Sequence, residues 1–279
     1  MRLIDACARN LRLLHQVRIE TEFALLLTAS VNPKGMPEIT QPDPLERENT
    51  YANCLGYYVI NHPRVRQIVF AENSGWPLDR FREISVSNNP HAKQIEFQSF
   101  DGNDFPREKG KSYGELLLME RALEESRLLR TARYVGKMTG RNLLLNMTAL
   151  LESITGEFEF CCDVRDHNFY GMLGMPDCGH HCDSRFFVFT PSFHERYLKG
   201  TLDNLPFADG YMIEALLYDL VKSVENTDPV IKRFRIEPDF RGAAGHFIKG
   251  KKKDYGSRSE ILKRSIRSCS RRVAPWLHI

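Results

Sequence analysis

The segment Phe23-Ala-Leu-Leu-Leu-Thr-Ala-Ser-Val31 is apolar on both of its alternating faces and ends in the turn Asn32-Pro33-Lys34-Gly35. A strand of this kind must be covered on both sides, as a central strand of a parallel sheet is. The pattern recurs. Residues 65–71 run into Glu72-Asn73-Ser74-Gly75, residues 94–100 into Asp101-Gly102-Asn103-Asp104, and residues 134–138 into Thr139-Gly140-Arg141. Between these runs lie predicted helices at 45–62 and 113–129. The second has Leu116, Leu117, Met119, Ala122, Leu123 and Leu128 set among charges. The order strand, helix, strand, strand, helix, strand predicts an α/β fold: a mostly parallel sheet flanked by helices. In such sheets ligands bind beyond the carboxyl ends of the strands, and all four predicted strands end there in small polar residues.

The remaining elements extend this core rather than build a second one. Strands are predicted at 158–164 and 186–190, a short helix at 192–198 capped by Ser192, a helix at 206–225 and an edge strand at 232–236. Residues 1–18, with Leu3, Ile4, Cys7, Leu11, Leu14 and Val17 at helical spacing, predict an amphipathic helix. There is no apolar run of membrane-spanning length and no long apolar leader segment, which predicts a cytoplasmic protein. The seven cysteines are then expected as free thiols.

Charge is unevenly placed. From Lys249 to Arg272 there are ten Lys/Arg and two acids, so a chain of net charge +3 is an acidic body with a basic end. Ile261, Leu262, Ile266, Cys269 and Val273 form a helical stripe there, flanked by Lys263, Arg264, Arg267, Arg271 and Arg272 and followed by Trp276. That pattern predicts a basic amphipathic tail able to dock on an anionic membrane. The glycines of Gly242-Ala-Ala-Gly245 predict a flexible turn ahead of it.

Several chemistries are excluded. Gly110-Lys111-Ser112 resembles the end of a phosphate-binding loop, but Phe105 stands where its first glycine belongs. Gly-x-Gly-x-x-Gly after the first strand, His-Glu-x-x-His and Gly-x-Ser-x-Gly are absent. Cys161, Cys162, Cys178, His180, His181 and Cys182 include zinc-type ligands. However, adjacent strand residues point to opposite faces, and the Cys178-to-Cys182 spacing is wide for a knuckle.

The stretches 25–36, 69–75, Phe100-Asp-Gly-Asn103, Gly110-Lys-Ser-Tyr-Gly-Glu115, Gly136-Lys-Met-Thr-Gly-Arg141 and Asp183-Ser-Arg-Phe-Phe187 carry a resemblance. Together they resemble bacterial glycosyltransferases of lipopolysaccharide and capsular polysaccharide gene clusters, a family similar to the GT-A nucleotide-sugar transferases. The resemblance covers roughly residues 23 to 250. It implies a GT-A-like domain over 1–250 followed by the tail at 251–279, and transfer from a nucleotide-sugar donor to a saccharide or lipid-linked acceptor. It places Thr28, Ala29 and Ser30 against the nucleotide and Glu72 and Asn73 at the base or ribose. Gly110, Lys111 and Gly114 would come close to the nucleotide. GT-A enzymes usually hold a divalent metal on an Asp-x-Asp, and this chain has none. The corresponding strand ends in Lys137, Thr139 and Arg141, so the local chemistry predicts cationic neutralisation of the diphosphate without a metal. Arg185 is an alternative ligand for it.

For the base that takes the acceptor proton, the candidates are Asp183 and Glu214. A competing reading is a zinc-containing nucleic-acid-binding protein. Its basic residues would all lie in one terminal segment and the body has no nucleic-acid module, so no nucleic-acid partner is expected. A nucleotidyltransferase on a similar sheet would want acidic metal ligands that the sequence does not offer.

Overall fold

The structure, a computed structural model, describes residues 17–36, 39–168, 179–203, 212–248 and 251–279. The helix expected over 1–18 and Cys178 therefore lie outside, or almost wholly outside, the described residues.

β1 (Phe23–Ala29) is buried along its whole length. It pairs in parallel with β2 (Gln67–Glu72) on one side and with β4 (Tyr134–Thr139) on the other. β3 (Gln94–Ser99) adds in parallel outside β2. Beyond β4 come β9 (Phe186–Phe189), which is antiparallel, then β6 (Phe160–Cys161) and β10 (Val230–Ile231). The seven-stranded order β10-β6-β9-β4-β1-β2-β3 contains one antiparallel strand, β9. The chain winds outward from β1 to β3 and then returns to the far side of β1 as β4. The gap beyond the ends of β1 and β4 is thus the switch point of the sheet.

Helices cover both faces. α1 (Pro44–Ile60) starts with Asp43, whose side chain accepts from Leu45 N at 3.0 Å, followed by Pro44 in the first turn. It packs with α2 (Asp79–Ser87) on one face. α3 (Gly110–Glu125) and α4 (Arg127–Thr131) lie on the other, where Leu116, Met119, Ala122 and Leu129 join Ala24, Leu26 and Val69 in the core. Strand alternation sorts neighbours: Cys161 belongs to the core of one face and Cys162 to that of the other. Cys54, Cys161, Cys162, Cys182 and Cys269 are free.

Several boundaries differ from the sequence reading. α2 was not predicted; only Phe81 and Ser85 of it are buried, too few to print a periodic signal. The predicted helix at 113–129 breaks at Ser126, whose hydroxyl instead caps α4 through Leu129 N. Thr190, not Ser192, caps the turn before 194–198, accepting from Phe193 N at 3.2 Å. The strand predicted at 158–164 is only β6, with Val164–Asp166 (β7) turning away to pair with His180–Cys182 (β8). The edge strand is β10 rather than 232–236. Short strands Leu143–Leu144 (β5) and Phe240–Arg241 (β11) pair with each other. The expected turn after Gly242 is a strand, β12 (Ala243–Ile248), hairpinned with β13 (Lys251–Asp254).

After the short helix α5 (Met147–Glu152), α6 (Ile213–Val224) buries Ile213, Leu216, Leu217 and Val221. The final helix, α7 (Arg258–Val273), is capped by Ser257. No helix among the described residues is long and apolar enough to cross a membrane.

Candidate active site

A cleft with about 680 Å³ between its walls, part of it open to solvent, lies at the switch point. β1 and its extension supply Thr28, Ala29 and Ser30, and β4 and its extension supply Thr139 and Arg141. α3 supplies Lys111, Gly114 and Glu115. Asn73, Asn103 and Phe105 close one end, and Arg47 and Tyr51 of α1 another. Gly245 of β12 completes the wall.

Small residues are required here. A Cβ on Gly140 would stand 2.7 Å from the Thr28 carbonyl oxygen, which accepts from Gly140 N at 2.9 Å. A Cβ on Gly245 would fall 1.9 Å from a guanidinium nitrogen of Arg141. Across the cleft mouth, Thr40 N donates to Gly245 O at 3.2 Å and Thr40 Oγ1 to Ala244 O at 2.8 Å. β12 is thereby tied to the loop after β1.

The wall is cationic. Arg47 is buried, donating to Ser30 O at 2.7 Å and to the Tyr51 hydroxyl at 3.2 Å. Burial lowers its pKa, and the Arg141 charge lowers it further. Arg141 Nε is buried with no hydrogen-bond partner, and so is Asn73 Oδ1, while Asn73 Nδ2 donates to Gly114 O at 3.1 Å. Two orphan polar atoms of opposite sense in one cleft are the feature expected of a wall shaped for a polar ligand.

Three predicted residues do not stand where they were placed. Glu72 is fully buried away from the cleft. Its carboxylate accepts from Val31 N (2.9 Å), Ser74 N (2.9 Å) and Trp76 N (3.0 Å), and also from the Ser74 and Ser99 hydroxyls. It fastens the ends of β1, β2 and β3 and has no lone pair left for a ribose. Lys137 has no exposed surface, because alternation along β4 turns it to the face opposite Met138. It is ion-paired with Glu115, donates to Ser184 O at 2.7 Å and lies 5.6 Å from the Phe187 ring centre. Gly110 opens α3 with φ 68° and does not line the cleft.

The two predicted bases differ in state. Burial works to raise Asp183, but the Arg185 guanidinium overrides it and holds the carboxyl well below the usual range. Asp183 accepts from Arg185 Nε at 2.8 Å, and Arg185 is sandwiched between the rings of Phe240 (4.0 Å) and Tyr255 (4.3 Å). The two are each other's partners, and neither lines the cleft. Glu214 on α6 has its pKa raised by burial, partly offset by the Ser184 hydroxyl, which donates at 2.6 Å. Glu115 lies close enough to raise it further and Lys137 to lower it.

Sequence reasoning missed Arg47, Tyr51, Asn103 and Glu115. Glu115 was quoted within a motif but given no role. Among the described residues it is the one carboxylate on the wall, and it is already paired with Lys137. No three His, Cys, Asp or Glu side chains among the described residues converge as metal ligands. On the described cleft wall Glu115 is the one carboxylate that a hard divalent cation, which wants several oxygens, would meet.

No family model matches the sequence, and no curated protein matches it. Solved structures are similar at low identity. The mannosyltransferase Ktr4p from S. cerevisiae in complex with GDP aligns at TM-score 0.47 and 10% identity over 90% of this chain and 83% of that one. The galactosyltransferase LgtC with donor and acceptor sugar analogs aligns at 0.43 and 10% over 75% and 72%. The inositol-1-phosphate CTP transferase from T. maritima aligns at 0.43 and 13% over 77% and 86%.

Proposed function

We propose that this chain is a glycosyltransferase that moves a sugar from a nucleotide-sugar donor to a saccharide or lipid-linked saccharide acceptor in bacterial surface-polysaccharide assembly. The observation that carries the reading is the cleft at the β1/β4 switch point, walled by Arg47 and Arg141, with Glu115, paired to Lys137, the one carboxylate among its described lining residues. A cleft so charged suits a diphosphate, and its amide and hydroxyl groups suit a nucleoside.

In this reading Asn73 Oδ1 accepts from a nucleoside N–H or O–H, and Thr28 and Ser30 lie along the nucleotide. Lys111 and Arg141 face the diphosphate. Glu214 does not itself line the cleft; in this reading an acceptor reaching past Glu115 toward α6 gives its hydroxyl proton to Glu214, raised by burial, as that oxygen attacks the anomeric carbon. The bond from that carbon to the phosphate oxygen breaks, and the nucleoside diphosphate leaves with its new charge held by Arg141 and Lys111. Lys137 acts through Glu115, fixing its carboxylate at the cleft wall. Guanidinium and ammonium groups thus stand in for the metal that an Asp-x-Asp would hold.

The test is a thermal-shift panel of the purified chain against UDP-, GDP-, dTDP- and CMP-sugars, with EDTA or with Mg²⁺ or Mn²⁺. A ligand that binds only the folded state raises the melting temperature by mass action. A shift with one nucleotide class that survives EDTA supports the proposal and names the donor. A shift that needs metal overturns the cationic-wall account, and no shift with any nucleotide overturns the donor reading.

A further inference from the structure

The tail helix is amphipathic in an inverted sense. Three of its arginines face inward and its apolar stripe faces outward. Arg271, itself buried, donates to Glu237 (2.7 Å), Asp163 (2.6 Å) and the Phe234 carbonyl (2.6 Å). Arg267 donates to Glu237 at 2.6 Å, and Arg264 pairs with Asp239. The acids of the body therefore consume these three cations. On the other side, Leu262 is 63% exposed, Ile266 54%, Val273 70% and Trp276 76%. Spacings of four and seven residues place Leu262, Ile266 and Val273 along one face of the helix, and the exposed Trp276 follows in the turn after its end.

The exposed charged side chains of α7 around that face are cations. Arg258, Lys263 and Arg272 are exposed around the stripe. The one acid within α7, Glu260, is held by Lys263 at 2.8 Å and by Lys253 at 3.5 Å. Two copies of this face packed about a two-fold axis would set the same cations against each other. An anionic surface complements them instead, and an interfacial tryptophan beside an apolar stripe fits the boundary between headgroup and acyl chain.

We propose that the outward face of α7, with Trp276, is a docking surface for an anionic lipid bilayer. The inward arginines clamp the helix to the body, so docking fixes how the whole molecule sits on the membrane. This proposal stands on the surface alone and does not depend on the reading of the cleft.

The test uses the full chain with phosphatidylglycerol-containing vesicles and with pure phosphatidylcholine vesicles. The protein is expected to pellet with the first and not with the second. Leu262→Ser/Ile266→Ser/Trp276→Ser is expected to stay in the supernatant at an unchanged melting temperature. Arg258→Ala and Arg272→Ala are each expected to weaken binding roughly fivefold. The exposed Cys269 thiol lies on the same face and reports on coverage. Its maleimide labelling, identified by comparison with Cys269→Ser, is expected without vesicles and is expected to be blocked by the anionic ones. Equal pelleting of the triple variant, or no pelleting of the wild type, overturns the proposal. So does a Cys269 protected without lipid, which would mean that another part of the chain or a second copy already covers the face.

Discussion

The cleft wall and the tail helix are the two cation-rich regions of this molecule, and their cations have opposite fates. In the tail, Arg264, Arg267 and Arg271 meet Asp239, Glu237 and Asp163 of the body, and these three charges are neutralised internally. In the cleft, Arg47 and Arg141 share the described wall with one carboxylate that Lys137 already holds. A run of basic residues in a sequence therefore does not say which of its cations are left facing outward. What matters is which cations the fold leaves without enough acids. Within one strand and its turn the same contrast holds: Lys137 is sealed in the core, while four residues later Arg141 keeps an orphan Nε at the cleft.

The largest effect expected from this contrast belongs to the tail. Arg271→Met leaves Glu237 and Asp163 buried with their main partner gone, and breaking a buried ion pair from one side costs about 3–5 kcal/mol. Urea denaturation should show that loss, while nucleotide affinity of the folded protein stays as in wild type. A loss under ~1 kcal/mol would mean that the inward clamp is not what holds α7.

Glu72→Gln comes next. An amide cannot accept from all the donors that the carboxylate satisfies, and it brings an N–H₂ toward Val31 N, Ser74 N and Trp76 N. Stability should fall by about 1–3 kcal/mol. Nucleotide affinity measured well below the melting temperature should stay close to wild type. A large loss of affinity with intact stability would return Glu72 to the ligand.

The smallest effect concerns Glu214. Its folded pKa is raised, so above the unfolded value near about 4.3 the folded state binds a proton that the unfolded chain has released. That group's contribution is therefore lost as pH rises through the window up to the raised pKa. Glu214→Gln should gain stability relative to wild type across that window while losing turnover. The rate of the wild type should climb with pH over the same range. Ser184→Ala removes the hydroxyl that lowers the pKa and should move this limb to higher pH. A limb that does not move would detach Glu214 from the proton transfer.

The parallel half of the sheet was legible because β1, β2 and β4 bury both faces and must be apolar throughout, and each ends in a polar turn at the switch point. The cleft's β1 and β4 walls followed from that: Thr28, Ala29, Ser30, Thr139 and Arg141 all line it. Arg47 and Tyr51 were not legible, because a helix that packs its apolar face on a sheet gives no sign of which polar residue looks over the sheet's edge. The fate of Lys137 and Glu72 was hidden for a related reason. Alternation says that neighbours face opposite ways, but not which way is the cleft. The locked Asp183–Arg185 pair depends on Phe240 and Tyr255, more than fifty residues away in the chain. The second half was less readable because all of its strands but β12 are two to four residues long and are set by pairing rather than by pattern.

The central claim is that guanidinium and ammonium groups of the cleft wall, Arg141 foremost, hold a nucleoside diphosphate. The most direct measurement is a calorimetric titration of the nucleotide selected by the thermal-shift panel, in EDTA, into wild type, Arg141→Ala and Lys137→Met. Loss of a charge-assisted hydrogen bond of about 1.5–3 kcal/mol predicts roughly ten- to more than a hundredfold weaker binding for Arg141→Ala, at a melting temperature close to wild type. Lys137→Met is expected to lose stability first. Equal affinity in wild type and Arg141→Ala would contradict the account.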